Sequence, residues 1–244
     1  MTYAPIGRFE IARVLFRMTG VLSRNFGVLA VLALVLSGIP NLIIAIAEGG
    51  FLSDLYAGQM GLFGFGWLFS LLIGALLQAA LIQGTISDMN GRRVSIGDCL
   101  NTAVRHVLPL IGISIAMTVA TFLGLFLFIV PGVILALALC VSAPVRVVEG
   151  LGVFNSLGRS GDLTRNHRGA ILLLFVVFGV LFLVLQGLVG QIGGIFPIAE
   201  RLIVAPLLHT VAALIGAAGV ASIYFELRTI KEGIGIEALA AAFD

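Results

Sequence analysis

Of the 244 residues, 60% are apolar and 11% are charged, and the mean hydropathy is +1.17. Soluble domains average about 45–50% apolar and about 25% charged residues, and disordered chains are poor in apolar side chains, so both classes are excluded. A net charge of +2 is too small for a nucleic-acid-binding surface, which leaves an integral membrane protein whose few polar residues lie between long apolar runs.

Taken in chain order, the first element is an amphipathic helix over 8–25. Ile11, Leu15, Met18, Leu22 and Phe26 recur at helical spacing, with Arg13, Arg17 and Arg24 on the opposite side. This is the pattern of a helix lying at the membrane interface with its arginines at anionic head groups, weakened by Gly20 by about 1 kcal/mol relative to Ala. A hydrocarbon core of about 30 Å needs roughly 20 apolar helical residues. The 23 uncharged residues between Arg24 and Glu48 and the 33 between Asp54 and Asp88 each supply one span, at approximately 26–47 and 62–84.

A second amphipathic segment follows, with Ser95 as a candidate N-cap three residues before Asp98. Ile96, Leu100, Ala103 and Val107 form its apolar stripe, and Asp98, Thr102 and Arg105 its polar one. From Val107 to Val145 there are 39 residues without charge. As one helix they would measure about 58 Å, nearly twice the core. Pro131-Gly132 near the middle suits a hairpin of two spans, 107–129 and 132–148, and a shallow re-entrant hairpin satisfies the same parity. In the third connector Asn155, Arg159, Asp162 and Asn166 oppose Phe154, Leu157 and Gly161, but Gly152, Gly158 and Gly161 argue against a rigid helix. Spans at 169–190 and 202–225 and a tail at 226–244 complete an all-α membrane bundle of six transmembrane helices. Each hairpin is preceded by a basic amphipathic segment.

On this division 13 of the 14 basic residues fall on one side and only Arg201 on the other. The positive-inside rule then puts both termini and both basic connectors in the cytoplasm. The first apolar run begins near Phe26, too deep for a cleavable signal, and no Asn-x-Ser/Thr acceptor is present. Cys99 and Cys140 sit in unlike surroundings and are expected to be unpaired thiols.

The span centres hold no ionisable group other than His209, which is the sole proton-relay candidate. Gln78, Gln83 and Gln186 are the other candidate polar residues of the bundle. All four are expected to bond between helices. Ala213, Ala217 and Ala221, with Ala212 and Gly216, form a small-residue stripe suited to close helix contact on the last span. No nucleophile elbow, zinc motif, aspartate cluster or phosphate-binding loop is present, so no catalytic, cofactor or metal residue is assigned and no cofactor is expected. The candidate contacts to lipid head groups or to a protein partner are Arg13, Arg17, Arg24, Arg92, Arg93, Arg105, Arg159 and Arg165.

Two stretches resemble a known group. Pro144-Val-Arg-Val-Val-Glu149-Gly150, followed by Asn155-Ser-Leu-Gly-Arg-Ser160-Gly-Asp-Leu-Thr164-Arg-Asn166, resembles a segment of proline, apolar residues and glutamate leading into a polar helix with Ser and Leu-Thr. That segment occurs in a poorly characterised group of bacterial multi-pass inner-membrane proteins, which includes the membrane domain of some glycerophosphodiester phosphodiesterases. Tyr224-Phe-Glu-Leu-Arg228-Thr-Ile-Lys231-Glu-Gly233 resembles the ending of the same group, and the likeness covers roughly 90–235. Gly158 and Gly161 depart from the helix it implies. The resemblance implies a membrane module without the hydrolase domain and its activity.

Three functional readings are compatible with these residues. The leading one is a non-catalytic inner-membrane protein, structural or regulatory, that works through lipid or partner contacts. The second is a small transporter or channel component with His209 and the glutamines lining a path, and the third is a lipid-directed enzyme using Asp88, Glu149 and Asp162.

Overall fold

Helix formation follows the apolar runs and extends beyond them. The computed structural model describes residues 9–40, 42–43, 60–89 and 91–232, and no strand occurs among them. The first helix, α1 (Ile11–Ala33), continues through a π-helical turn at Leu34–Gly38. Then come α2 (Met60–Met89), α3 (Ile96–Leu127), α4 (Ile129–Leu139), α5 (Ser142–Glu149), α6 (Val153–Thr164) and α7 (Arg168–Ile195). The last, α8 (Ala205–Glu232), is entered through Pro197–Ala199 and a second π-helical turn at Glu200–Val204. Among the described residues, six stretches are long and apolar enough to cross a membrane: Ile11–Gly38, Leu72–Met89, Ile96–Leu127, Ile129–Glu149, Arg168–Gln191 and Ala205–Glu232. The chain is therefore an all-α bundle of multi-pass membrane type. The end of the expected first span, at 44–47, and the tail at 233–244 lie outside the described residues.

The first two amphipathic connectors are not separate helices. Each runs into its span, α1 with a kink at Asn25 (φ −119°, ψ 21°) where the boundary between connector and span was expected. The kink has a local cause, since the Asn25 amide donates to the Val21 carbonyl at 3.5 Å and also to Asp88. In both helices the buried stripe is rotated from the expected one. α1 buries Val14, Met18 and Val21 and leaves Phe16 and Phe26 exposed, while Ile11, Leu15 and Leu22 pack at the flank of the core. At 100° per residue, Arg13, Arg17 and Arg24 lie about 60–100° around the helix from Val14, on the other flank. α3 buries Cys99, Ala103, Leu110 and Ile113, with Ile96 and Leu100 exposed, and Ser95 occupies the N-cap position without a side-chain cap bond.

The α3–α4 hairpin turns on one extended residue, Phe128 (φ −161°, ψ 149°), rather than at Pro131-Gly132. Pro131 sits instead in the first turn of α4, as Pro144 does in α5, where an N–H would have no helical acceptor. Gly132 serves close approach. A Cβ there would lie 2.5 Å from the Leu125 side chain and 2.6 Å from its backbone nitrogen, and one on Gly124 would lie 2.8 Å from the Gly132 Cα.

The third connector forms a regular helix, α6, despite its glycines. Its buried face is Ser156, Ser160, Leu163 and Thr164, and Phe154 is exposed. The hydroxyls of Ser160 and Thr164 donate to the Ala138 carbonyl at 2.7 and 3.4 Å. Because α4 ends at Leu139, carbonyls of its last turn have lost their helical donors, and these hydroxyls satisfy one of them. The main core lies among α1, α2, α3 and α8, around Leu29, Leu81, Ile82, Ile113 and Phe225. α7 packs least and exposes Val177, Leu183 and Leu188 along its length.

Candidate functional site

The start of α1, the end of α2, the α5–α6 segment and the end of α8 meet at one end of the bundle, where charged side chains bond across large sequence separations. On α8, Tyr224, Arg228 and Glu232 follow each other at four-residue spacing and share a face, while Glu226 stands about 200° around the helix from Tyr224. The two faces serve different partners.

Glu226 is fully buried and receives Arg13 and Arg17 of α1. Arg13 Nη1 lies 2.8 Å from Oε1 and Arg17 Nη1 lies 3.2 Å from Oε2. Arg13 also reaches Glu10 at 3.1 Å. A charge this deep is tolerated only when paired, so the arginines stabilise Glu226 and fix the register of the first helix against the last.

On the other face a closed ring forms. Arg228 Nη1 donates to the Tyr224 hydroxyl at 3.0 Å, and that hydroxyl donates to Glu149 Oε1 at 2.9 Å. Glu149 Oε2 accepts from Arg159 Nε at 3.2 Å, Arg159 Nη2 pairs with Glu232, and Glu232 Oε2 accepts from Arg228 Nε at 2.7 Å. Two arginines, two glutamates and a tyrosine thus form a neutral cycle binding α5, α6 and α8. The Tyr224 side chain is held inside with both hydroxyl roles used. Nearby, Arg146 Nη1 donates to the carbonyl of Gly150 at 2.8 Å and to that of Leu151, which holds the left-handed turn at Gly150 (φ 65°). Both stretches that carry the sequence resemblance therefore converge here.

A third group joins α1 to α2. Arg24 reaches Asp88 with Nη2 at 2.6 Å and Nε at 3.3 Å, and the Asn25 amide donates to the same carboxylate. Lys231 Nζ donates to the Asp162 carbonyl, and Asp162 itself is exposed. The three carboxylates of the lipid-enzyme reading therefore have separate surroundings: Asp88 with Arg24, Glu149 in the ring, Asp162 at the surface.

Among the candidate cations, Arg13, Arg17, Arg24 and Arg159 are occupied by these acids, while Arg92, Arg93, Arg105 and Arg165 are exposed. Arg165 adjoins His167, whose ring stacks near Phe9 with centroids 5.9 Å apart. Burial and then the charge of Lys231 hold the His167 imidazole below its ordinary pKa. The polar bundle residues do not gather. Gln83 Nε2 donates to Ser87 within α2 at 3.5 Å, and Gln78 and Gln186 are half-buried without a polar partner among the described residues. His209 is exposed and meets Phe182 of α7 at 6.1 Å between ring centroids.

Cys99 and Cys140 are both free. No group of three or more His, Cys, Asp or Glu suited to a metal occurs among the described residues. Sequence reasoning missed Glu149, Tyr224, Glu226 and Glu232 as the counterparts of the arginines. The four-residue spacing of Tyr224, Arg228 and Glu232, with Glu226 out of phase, is the signal that marks two polar faces on the last helix. The chain matches no family model, no curated protein and no solved structure.

Proposed function

We propose that this is a non-catalytic, multi-pass inner-membrane protein of bacterial type, with both termini cytoplasmic, whose charged end engages anionic lipid head groups. One observation carries the reading: the acids Asp88, Glu149, Glu226 and Glu232 are each taken up by arginines inside the protein, whereas Arg93, Arg105 and Arg165 project outward. With these four acids paired, the exposed Asp98 and Asp162 are outnumbered by exposed arginines, and a rim of net positive charge is the composition that anionic leaflets attract at about 1 kcal/mol per residue. Asp88, Glu149, Glu226 and Glu232 are engaged as structural acceptors, which supports the non-catalytic reading.

Two measurements test it. Cysteine labelling at Gly91, Gly169 and the C-terminus of the intact cell membrane should report one common side, the cytoplasmic one, and a periplasmic C-terminus would refute the orientation. Purified protein should retain phosphatidylglycerol in preference to phosphatidylcholine. Solute flux into proteoliposomes that is abolished by His209→Ala would overturn the reading in favour of a transporter, and a stoichiometric co-purifying protein without lipid preference would redirect it to a partner.

A further inference from the structure

An apolar groove of about 310 Å³ runs between α7 and α8. Its floor is Ala212, Gly216 and Gly219 of α8, and its walls include Phe178 and Phe182 of α7. Phe175, Leu181 and Val211 line it and are exposed, so it opens sideways toward the bilayer. A Cβ built on Gly216 would meet nothing within 4 Å, so this part of the small-residue stripe, unlike the buried Ala217 and Ala221, is not filled by a helix neighbour. The groove follows α7 from Leu174 to Leu185 and α8 from Leu208 to Ile223. At 1.5 Å per residue it measures about 17–22 Å, which is one leaflet of a 30 Å core and a little more.

Above its Leu174–Ile223 end stand cations of the two helices and their junctions. Arg168 begins α7, about 9 Å along the axis from Leu174, and Lys231 lies about 12 Å beyond Ile223. The like charges of Arg159, Arg165 and Arg168 all bear on Lys231, and Asp162 opposes them. Arg159 is neutralised by Glu149 and Glu232. Arg165 has no polar partner among the described residues, and the Arg168 Nε is buried without one. Unbalanced positive charge therefore sits where a phosphate would lie if a chain occupied the groove below.

We propose that the α7–α8 groove binds one anionic phospholipid, with an acyl chain along Ala212, Gly216 and Phe182 and the phosphate at Arg165, Arg168 and Lys231. This deepens the head-group reading and rests on it, turning a diffuse basic rim into one defined site. Length and charge both specify the occupant. A free phosphate leaves the leaflet-deep groove empty, and a neutral lipid leaves the cations unanswered.

The test uses the full-length protein in detergent with phosphatidylglycerol or phosphatidylcholine, and counts retained lipids by intact-protein mass spectrometry. The wild type is expected to hold one phosphatidylglycerol that excess inorganic phosphate does not displace. Arg165→Gln with Lys231→Gln should weaken it about fivefold for each charge removed. Gly216→Leu should lose it with the cations intact, and Ala212→Leu repeats that test should Gly216→Leu fail to give a monodisperse protein. If both groove-filling variants retain the lipid while the charge variant loses it, the groove proposal falls and the head-group reading stands. If the wild type shows no preference for the anionic lipid, both fall.

Discussion

Glu226→Gln isolates the most deeply buried charge among the described residues, because the substitution keeps the shape and removes only the negative charge between two arginines. With charge centres about 4 Å apart and an effective dielectric of about 20, each pair is worth about 4 kcal/mol before desolvation is subtracted. Arg13 is 37% exposed, which screens its share to about 1 kcal/mol or less, whereas Arg17 is 19% exposed and keeps more of its own. Removing the acid leaves both guanidinium groups facing each other over a neutral amide. The expected loss is about 3 kcal/mol, at the low end for breaking a buried pair. Taking 2–4 °C per kcal/mol for a chain of this size, the helical signal of the purified protein in detergent should melt about 6–12 °C lower. Arg17→Gln should cost less, and Arg13→Gln least. The double change Arg17→Leu with Glu226→Leu should recover part of the loss, since apolar replacements of both partners remove the desolvation cost together. The reasoning is refuted if Glu226→Gln melts within about 1 °C of the wild type, or if Arg13→Gln destabilises as much.

The other predictions concern local geometry. Gly132→Ala places a methyl 2.5 Å from Leu125 and should destabilise by about 1–3 kcal/mol, read by the same melt, with a second methyl at Gly124 adding little once the helices have parted. Gly158→Ala and Gly161→Ala point the other way: nothing lies within 4 Å of either added carbon, so each should raise stability by about 0.4–1 kcal/mol. Tyr224→Phe breaks the ring at its hydroxyl and should cost about 1–3 kcal/mol, with faster backbone hydrogen exchange across α5 and α6 than across α2. His167 is held below its ordinary value of about 6.5, so the unfolded chain takes up its proton first as pH falls. Its contribution to stability is full above about pH 7 and declines as pH drops below 6.5. His167→Gln should flatten that slope in a pH series of melts.

The spans were legible because a bilayer imposes a length on every crossing, and runs such as Val107–Val145 meet it without reference to any partner. The spatial partners were not. A stripe on α1 shows that one face is apolar, but the direction of that face depends on where α8 supplies Glu226, 213 residues from Arg13. The expected stripe was therefore rotated toward Ile11 and Leu15. Gly132 was read as a turn residue because Pro-Gly is a common turn pair, and only the packed hairpin shows it as the point of closest approach to α3. In α6, the hydroxyls of Ser160 and Thr164 reach the end of α4 and hold a helix that its glycines disfavour, a tertiary effect that no local propensity contains.

The long-range pairs also set an order in time. Arg13 and Arg17 are synthesised first and Glu149 with Arg159 midway, but the side chains that complete them stand at 224–232. Until the last helix enters the membrane, Arg13 and Arg17 lack Glu226, and Glu149 and Arg159, though bonded to each other, lack the Tyr224 hydroxyl and Glu232. The final transmembrane segment thus acts as the keystone of assembly, and a chain stopped before Tyr224 leaves Arg17 without the carboxylate it faces in the finished bundle.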